Sequence, residues 1–133
     1  MNLEELIKRP ARHTDVRGWV YEVLRPEDVT KERFAQIFVT GALPEKTKGN
    51  HYHRRKTEWF SVVHGKGEMT LTNVDTGEIS TVMMSADEPL VLKVIPGLAH
   101  ALKNVDDVPL IAIVYVDEPF NPNDTDTFDH AAR

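Results

Sequence analysis

Eight short runs rich in Val, Ile, Thr and aromatic residues, at 19–24, 34–40, 57–64, 68–73, 78–84, 90–95, 101–104 and 110–116, are separated by turn-forming stretches. Branched and aromatic side chains suit a pleated, half-buried surface. No segment combines the length and the 3.6-residue period of a core helix, so an α/β layout is excluded and the strands must close as a sandwich or barrel. Asp75-Thr76-Gly77 predicts a hairpin, Gly65 and Gly67 bracket a second, Pro96-Gly97 marks a third, and Val105-Asp106-Asp107-Val108-Pro109 separates the last two runs. Asn2 with Glu5 three residues on has the pattern of a capping box for a short helix through Ile7, which Pro10 stops. Residues 26–33 allow one helical turn, and the tail from Pro119 reads as a surface strap. At 133 residues the expectation is a single domain, 1–133, with its barrel over about 15–117 between that short helix and the strap.

Composition narrows the function. Hydrophobic residues make up 41% and charged residues 28%, which is ordinary globular usage and not that of a disordered chain. Cysteine is absent, so disulfides, thiol nucleophiles and thiolate metal sites are excluded, and any metal must be held by nitrogen and oxygen. With 16 Lys plus Arg against 21 Asp plus Glu, the net charge of −5 argues against nucleic acid as a partner. The longest apolar run, Leu110 to Val116, is far short of the roughly 20 residues that span a bilayer, and acids stand at the start where a secretory signal has bases. The expected location is cytoplasmic, with no membrane partner.

Chemistry concentrates at His51, His53 and Glu58, followed by His100. Residues two apart on a strand share a face, so His51 and His53 can aim both rings at one point. A short connection over 54–57 would let the next strand run alongside the first and bring the Glu58 carboxylate to the two imidazoles. Three imidazoles and one carboxylate suit Zn, Mn, Fe, Co or Ni, and without cysteine the ligand set does not single out one of them; Zn is the expected ion. Alternation along the 57–64 run puts Phe60, Val62 and His64 on the Glu58 face, which makes His64 a candidate base or acid; Tyr115 and Glu68 are further candidates. Lys46, Lys48, Arg54, Arg55 and Lys56 surround the histidine pair, and Lys48 and Arg55 are the candidate contacts for an anionic ligand.

These spacings resemble the two motifs of the cupin family, an all-β double-stranded β-helix or jelly-roll fold. His51, His53, Glu58 and Gly65 match the first motif, and Pro96, Gly97, His100 and Asn104 the second. Glu45 and Pro89 stand where the motifs open with glycine, and Pro96 sits one place late. Asp15-Val16-Arg17-Gly18 with Glu22 resembles the entry strand of nucleotide-sugar epimerases and ketoisomerases. The blocks Lys48-Gly49-Asn50-His51-Tyr52-His53, Asp117 to Pro122 and Asp126-Thr127-Phe128 are similar to the cupin domain of capsular polysaccharide assembling proteins.

The resemblance implies C3 epimerisation of a nucleotide-linked 4-keto-hexose in surface polysaccharide synthesis, and it adds Arg17 as a phosphate contact. Such a reaction needs a base for the α proton, an electrophile for the enolate and an acid for reprotonation. The expected cofactor is one divalent metal ion, and the expected partners are a nucleotide-diphosphate sugar and a second copy of the chain in a homodimer. The same ligands also serve Fe-dependent cupin dioxygenases, and a non-enzymatic sugar-binding module is the third reading.

Overall fold

The computed structural model describes residues 1–29 and 34–132. Its strands are β1 (Ile7–Lys8), β2 (His13–Asp15), β3 (Gly18–Val20), β4 (Gln36–Ala42), β5 (Thr47–Tyr52), β6 (Glu58–His64), β7 (Lys66–Asn73), β8 (Ile79–Ser85), β9 (Val91–Val94), β10 (Leu98–Asn104), β11 (Leu110–Val116) and β12 (Phe128–Asp129). Two five-stranded antiparallel sheets form, ordered β1-β9-β6-β11-β4 and β12-β5-β10-β7-β8, with β2 and β3 as a separate hairpin. On β11, Leu110, Ala112 and Val114 point inward while Ile111 and Ile113 point away, the alternation expected of a sheet with one buried face. Phe60, Leu92 and Val114 from the first sheet meet Met69, Leu71 and Leu102 from the second in one core. This all-β arrangement is typical of the cupin and jelly-roll superfamily.

The connections depart from the sequence expectation in an informative way. Residues 74–78 do form a hairpin, between β7 and β8, with Gly77 at φ 77° and its N–H on the Asn73 carbonyl at 2.7 Å. The turns at Gly65 and at Pro96-Gly97 form no hairpins, because the strands they join lie in opposite sheets. The 54–57 connection behaves likewise: β5 and β6 do not run side by side, since β5 pairs with β10 and β12, and β6 with β9 and β11. Crossing from sheet to sheet is what places chain-adjacent residues on two walls of one interior.

The N-terminal helix is a single 3₁₀ turn over Leu3–Leu6, since the Asn2 side chain makes no capping hydrogen bond, and Ile7 pairs with Leu92 as strand instead. The 26–33 turn is 3₁₀ over Pro26–Asp28; residues 30–33 lie outside the described residues. Of the 19–24 run only Trp19 and Val20 are strand. Tyr21 leaves the hairpin to bond Ser61 Oγ at 3.0 Å, and Val23 and Leu24 cover Trp59, Val91 and Tyr115 on the outer face of the first sheet. Strand β5 lies in none of the eight apolar runs, because Thr47-Lys48-Gly49-Asn50-His51-Tyr52 is polar and glycine-containing; its partners, not its propensity, make it a strand.

Glu45, at a position where cupin motifs carry glycine, has φ 69°. A left-handed conformation costs a side-chain-bearing residue about 1–2 kcal/mol, of which glycine's extra unfolded-state entropy offsets about 0.5–1 kcal/mol. Glu45→Gly is therefore expected to raise stability by about 0.5–1 kcal/mol, read as a higher urea midpoint with unchanged slope.

Candidate metal centre

The two sheets divide the centre between them. His51 on β5 stands directly opposite His100 on β10, and His53 follows just past the end of β5, so one wall supplies three imidazoles. Glu58, the first residue of β6, supplies the carboxylate from the other. Ring centroids lie 4.7 Å apart for His51 and His100, 5.3 Å for His51 and His53, and 5.7 Å for His53 and His100. His53 Nε2 is 2.8 Å and His100 Nε2 3.3 Å from Glu58 Oε1. One ligand atom from each of the four residues lies within 4.8 Å of the others, and His53, Glu58 and His100 are buried.

The donor set fits a divalent ion. His53 Nδ1 donates to the Asp126 carbonyl at 2.7 Å and His100 Nδ1 to the Leu98 carbonyl at 3.4 Å, so both rings turn Nε2 toward Glu58. A ring N–H anchored on a backbone carbonyl, with the second nitrogen aimed inward, is the usual arrangement of a metal-ligating histidine. Burial pushes the His100 imidazole down to about 4 against the pull of the Glu58 carboxylate, and burial together with His53 lowers His51, so both offer lone pairs at neutral pH. His53 is raised: burial is the largest influence and lowers it, but the hydrogen bond to Glu58, the charge of that carboxylate and the hydrogen bond to the Asp126 carbonyl together outweigh burial. Burial alone would raise the Glu58 carboxyl, yet the hydrogen bond from His53 and the neighbouring imidazoles hold it below its ordinary value. An ion taking this site displaces the His53 proton and gains a ready anion.

Two irregularities in the strands decide what surrounds the centre. His100 pairs with His51 but Ala101 pairs with Gly49, so Asn50, at φ 60°, is an extra residue in β5. That bulge brings Lys48, three residues from His51, onto the same inner face. Gly49 is required there: at φ 104°, a Cβ would lie 2.5 Å from the His100 carbonyl oxygen. In β6, Ile111 pairs with His64 and Ala112 with Val62, leaving Val63 as the extra residue. This second bulge breaks the alternation behind the His64 assignment, so His64 is exposed and bonds the Pro109 carbonyl at 2.9 Å, six residues along the strand from Glu58.

The remaining sequence candidates also have definite places. Tyr115 packs with Trp59 and Phe34 on the outer face of the first sheet, and Glu68 alternates with the inward Met69, so neither reaches the tetrad. Arg55 pairs with Glu118 at 2.9 Å and Asp124 at 3.1 Å, which ties it to the strap. Arg17 lies on the β2–β3 hairpin, ion-paired to Asp15 at 2.7 Å, with its side chain 87% exposed and away from the tetrad. Lys48 does line the cavity that holds His51, Glu58 and His100, a space of about 250 Å³ walled by Phe38, Thr40, Phe60 and Leu102. Sequence reasoning put Phe60 on the Glu58 face but missed Phe38, Thr40 and Leu102, and it gave no role to Asp126, whose carboxylate accepts the N–H groups of Arg54, Arg55 and Lys56 at 3.0, 2.9 and 3.0 Å. A contact across seventy residues of chain leaves no local signal.

Residues 13–128 match the family described as the polysaccharide biosynthesis C-terminal domain. The chain belongs to that family. A curated relative, UDP-2-acetamido-2,6-beta-L-arabino-hexul-4-ose reductase of Pseudomonas aeruginosa, is 28% identical over 87% of this chain and 30% of its own length. The crystal structure of the capsular polysaccharide assembling protein CapF of Staphylococcus aureus is 34% identical with a TM-score of 0.71, covering 91% of this chain and 34% of that one. The chain therefore spans about a third of the length of both. A dTDP sugar isomerase from Desulfovibrio desulfuricans G20, 19% identical, shares the fold of the family domain with a TM-score of 0.82 over 92% of this chain and 81% of that one. Among the described residues of this family member, no helix is long and apolar enough to cross a membrane.

Proposed function

We propose that this domain is a metal-dependent isomerase of nucleotide-linked 4-keto-hexoses in polysaccharide biosynthesis, inverting C3 beside the ketone. The observation that carries the reading is the convergence of His51, His53, Glu58 and His100, the last three buried, with His51, Glu58 and His100 lining a cavity, in a chain of the polysaccharide biosynthesis family. The names of a UDP-hexulose reductase and a dTDP sugar isomerase among its likenesses support the substrate class.

Three imidazoles and a carboxylate can hold zinc or another first-row divalent ion, and zinc is the ion this reading takes. Bound there, such an ion supplies a Lewis acid for the C4 carbonyl, which makes the C3 proton acidic. Of the lining side chains outside the tetrad, Thr40 and Lys48 are the ones able to take the C3 proton and return it to the other face. Phe38, Phe60 and Leu102 exclude water around the hexose, and Thr40 offers a hydroxyl. A cavity of about 250 Å³ lies below the roughly 300–1,000 Å³ of pockets that enclose a whole drug-sized ligand, so it takes the sugar end and leaves the nucleotide outside. Lys48, the basic residue of the lining, is exposed and so can reach the diphosphate outside the cavity. A second copy of the chain completes the reading: β4 is an edge strand whose Ile37 and Val39 are exposed, and Val16, Trp19 and Val20 of the β2–β3 hairpin are exposed as well. Light scattering is expected to give twice the chain mass.

In deuterated water, a UDP- or dTDP-4-keto-6-deoxyhexose is expected to gain deuterium at C3 in the presence of the metal-loaded protein, and a chelator is expected to suppress the exchange. His64→Ala is expected to exchange as fast as the parent chain, because His64 lies outside the cavity. Exchange no faster than without protein, for both nucleotides, would replace the isomerase by a sugar-binding module.

A further inference from the structure

Asp126 belongs to the C-terminal strap, yet it is only 4% exposed and sits at φ 50°. That conformation turns its two ends toward the same target. Its carboxylate gathers the consecutive N–H groups of Arg54, Arg55 and Lys56, while its backbone carbonyl accepts the His53 Nδ1 proton at 2.7 Å. Residues 54–57 are the crossing between sheets, where the chain leaves one ladder before joining the next. They also join His53 to Glu58, so the path of this crossing decides whether the two ligands converge. Three N–H groups pointing at one carboxylate form a concave anion cradle, and here the anion is part of the chain.

The strap holds the other side of the centre too. β12 pairs with β5, Phe128 opposite Tyr52 and Asp129 opposite His51, and Ala132 N donates to Asn50 Oδ1 at 3.1 Å. Phe128 stacks on Tyr52 with ring centroids 5.4 Å apart, and the Arg54 guanidinium lies over both rings. Lys56 Nζ donates to the Thr125 carbonyl at 3.0 Å.

We propose that Asp126 is a positioning residue that couples docking of the C-terminal strap to capture of the ion, because one residue fixes both the His53 ring and the crossing that delivers Glu58. The proposal rests on the metal reading above. Coupling of this kind is reciprocal: whatever factor the strap contributes to ion affinity, the ion returns to strap docking.

The test titrates Co²⁺ into the 133-residue chain against a competing chelator, following the visible absorption of the bound ion, and measures the denaturant stability of the metal-free chain alongside. Loss of an outer hydrogen-bonding partner weakens a metal site by about 10–100-fold. Asp126→Ala is expected to lose affinity in that range and to change the Co²⁺ spectrum, with Asp126→Asn, which keeps one acceptor oxygen, falling between it and the parent. A residue that merely held the strap would lower the stability of the metal-free chain and leave both affinity and spectrum unchanged, which overturns the proposal. Should Asp126→Ala fail to fold, hydrogen exchange of the parent chain decides: Co²⁺ is expected to slow exchange at residues 54–56 and 126–132, and equal rates with and without the ion overturn the coupling. A parent chain that binds no Co²⁺ overturns the metal reading itself, and this outcome is visible before any variant is made.

Discussion

Replacing His51, His53 or His100 with alanine is expected to weaken metal binding by about 100-fold or more in each case. Apparent binding free energies of protein zinc sites are about 10–16 kcal/mol, so one ligand in four carries on the order of 3 kcal/mol, which is about 100-fold in affinity. Among the described residues no further His or carboxylate joins the cluster: the four ligand atoms converge within 4.8 Å, and the side chains around them in the cavity are Phe38, Thr40, Phe60 and Leu102 with the cationic Lys48. Glu58→Gln is expected to cost less, because the amide oxygen remains a donor while the anion is lost. Elemental analysis after dialysis, with the metal-free variants checked for folding by circular dichroism, reads the result directly. Metal content equal to that of the parent in all three histidine variants would remove the tetrad assignment.

The metal-free chain is expected to be most stable near pH 6.5 and to lose stability on both sides. His100 is held at about 4 in the folded chain against an ordinary 6.5, so between those values the unfolded chain binds a proton that the folded chain refuses. Stability from this group is present above pH 6.5 and is lost as the pH falls toward 4, and the difference corresponds to about 3 kcal/mol. His51, also lowered, adds to the acid-side loss, and Glu58 extends it below its ordinary 4.5, since a depressed carboxyl stabilises only while ionised. His53 has the opposite sign. Its folded value is raised above 6.5, so its contribution is complete below pH 6.5 and disappears as the pH rises through the folded value. Urea midpoints measured with a chelator from pH 4 to pH 9 trace the dome. A bound divalent ion, which needs His53 deprotonated, is expected to flatten the alkaline limb while binding more tightly as the pH rises. A metal-free midpoint that does not fall between pH 6.5 and pH 4 would contradict the buried neutral state of His100.

Much of this protein was legible in its residues because it rests on local periodicity and composition. The absence of a core-length apolar helix and the run of short branched segments made an all-β fold unavoidable, whereas the inward alternation of Leu110, Ala112 and Val114 was not readable, because 110–116 is apolar at every position. His51, His53, Glu58 and His100 stood out by type and spacing, and the structure brings them together. What failed were the statements that assumed a regular strand or a neighbouring partner. Asn2 and Glu5 had the pattern of a cap, yet pairing of Ile7 with Leu92 took the chain into a sheet.

Tertiary structure alone decided the phase of the strands. A period of two assigns faces only while the pairing is regular, and a bulge of one residue inverts every assignment beyond it. Asn50 and Val63 are such residues, visible only in the registers with β10 and β11: the first turns Lys48 into the cavity, and the second turns His64 out of it. Asp126 reaches the 54–56 N–H groups across seventy residues of chain, a contact that folding creates and no local pattern encodes. The ligands were therefore written in the sequence, whereas their surroundings were set by which strands meet and in what register.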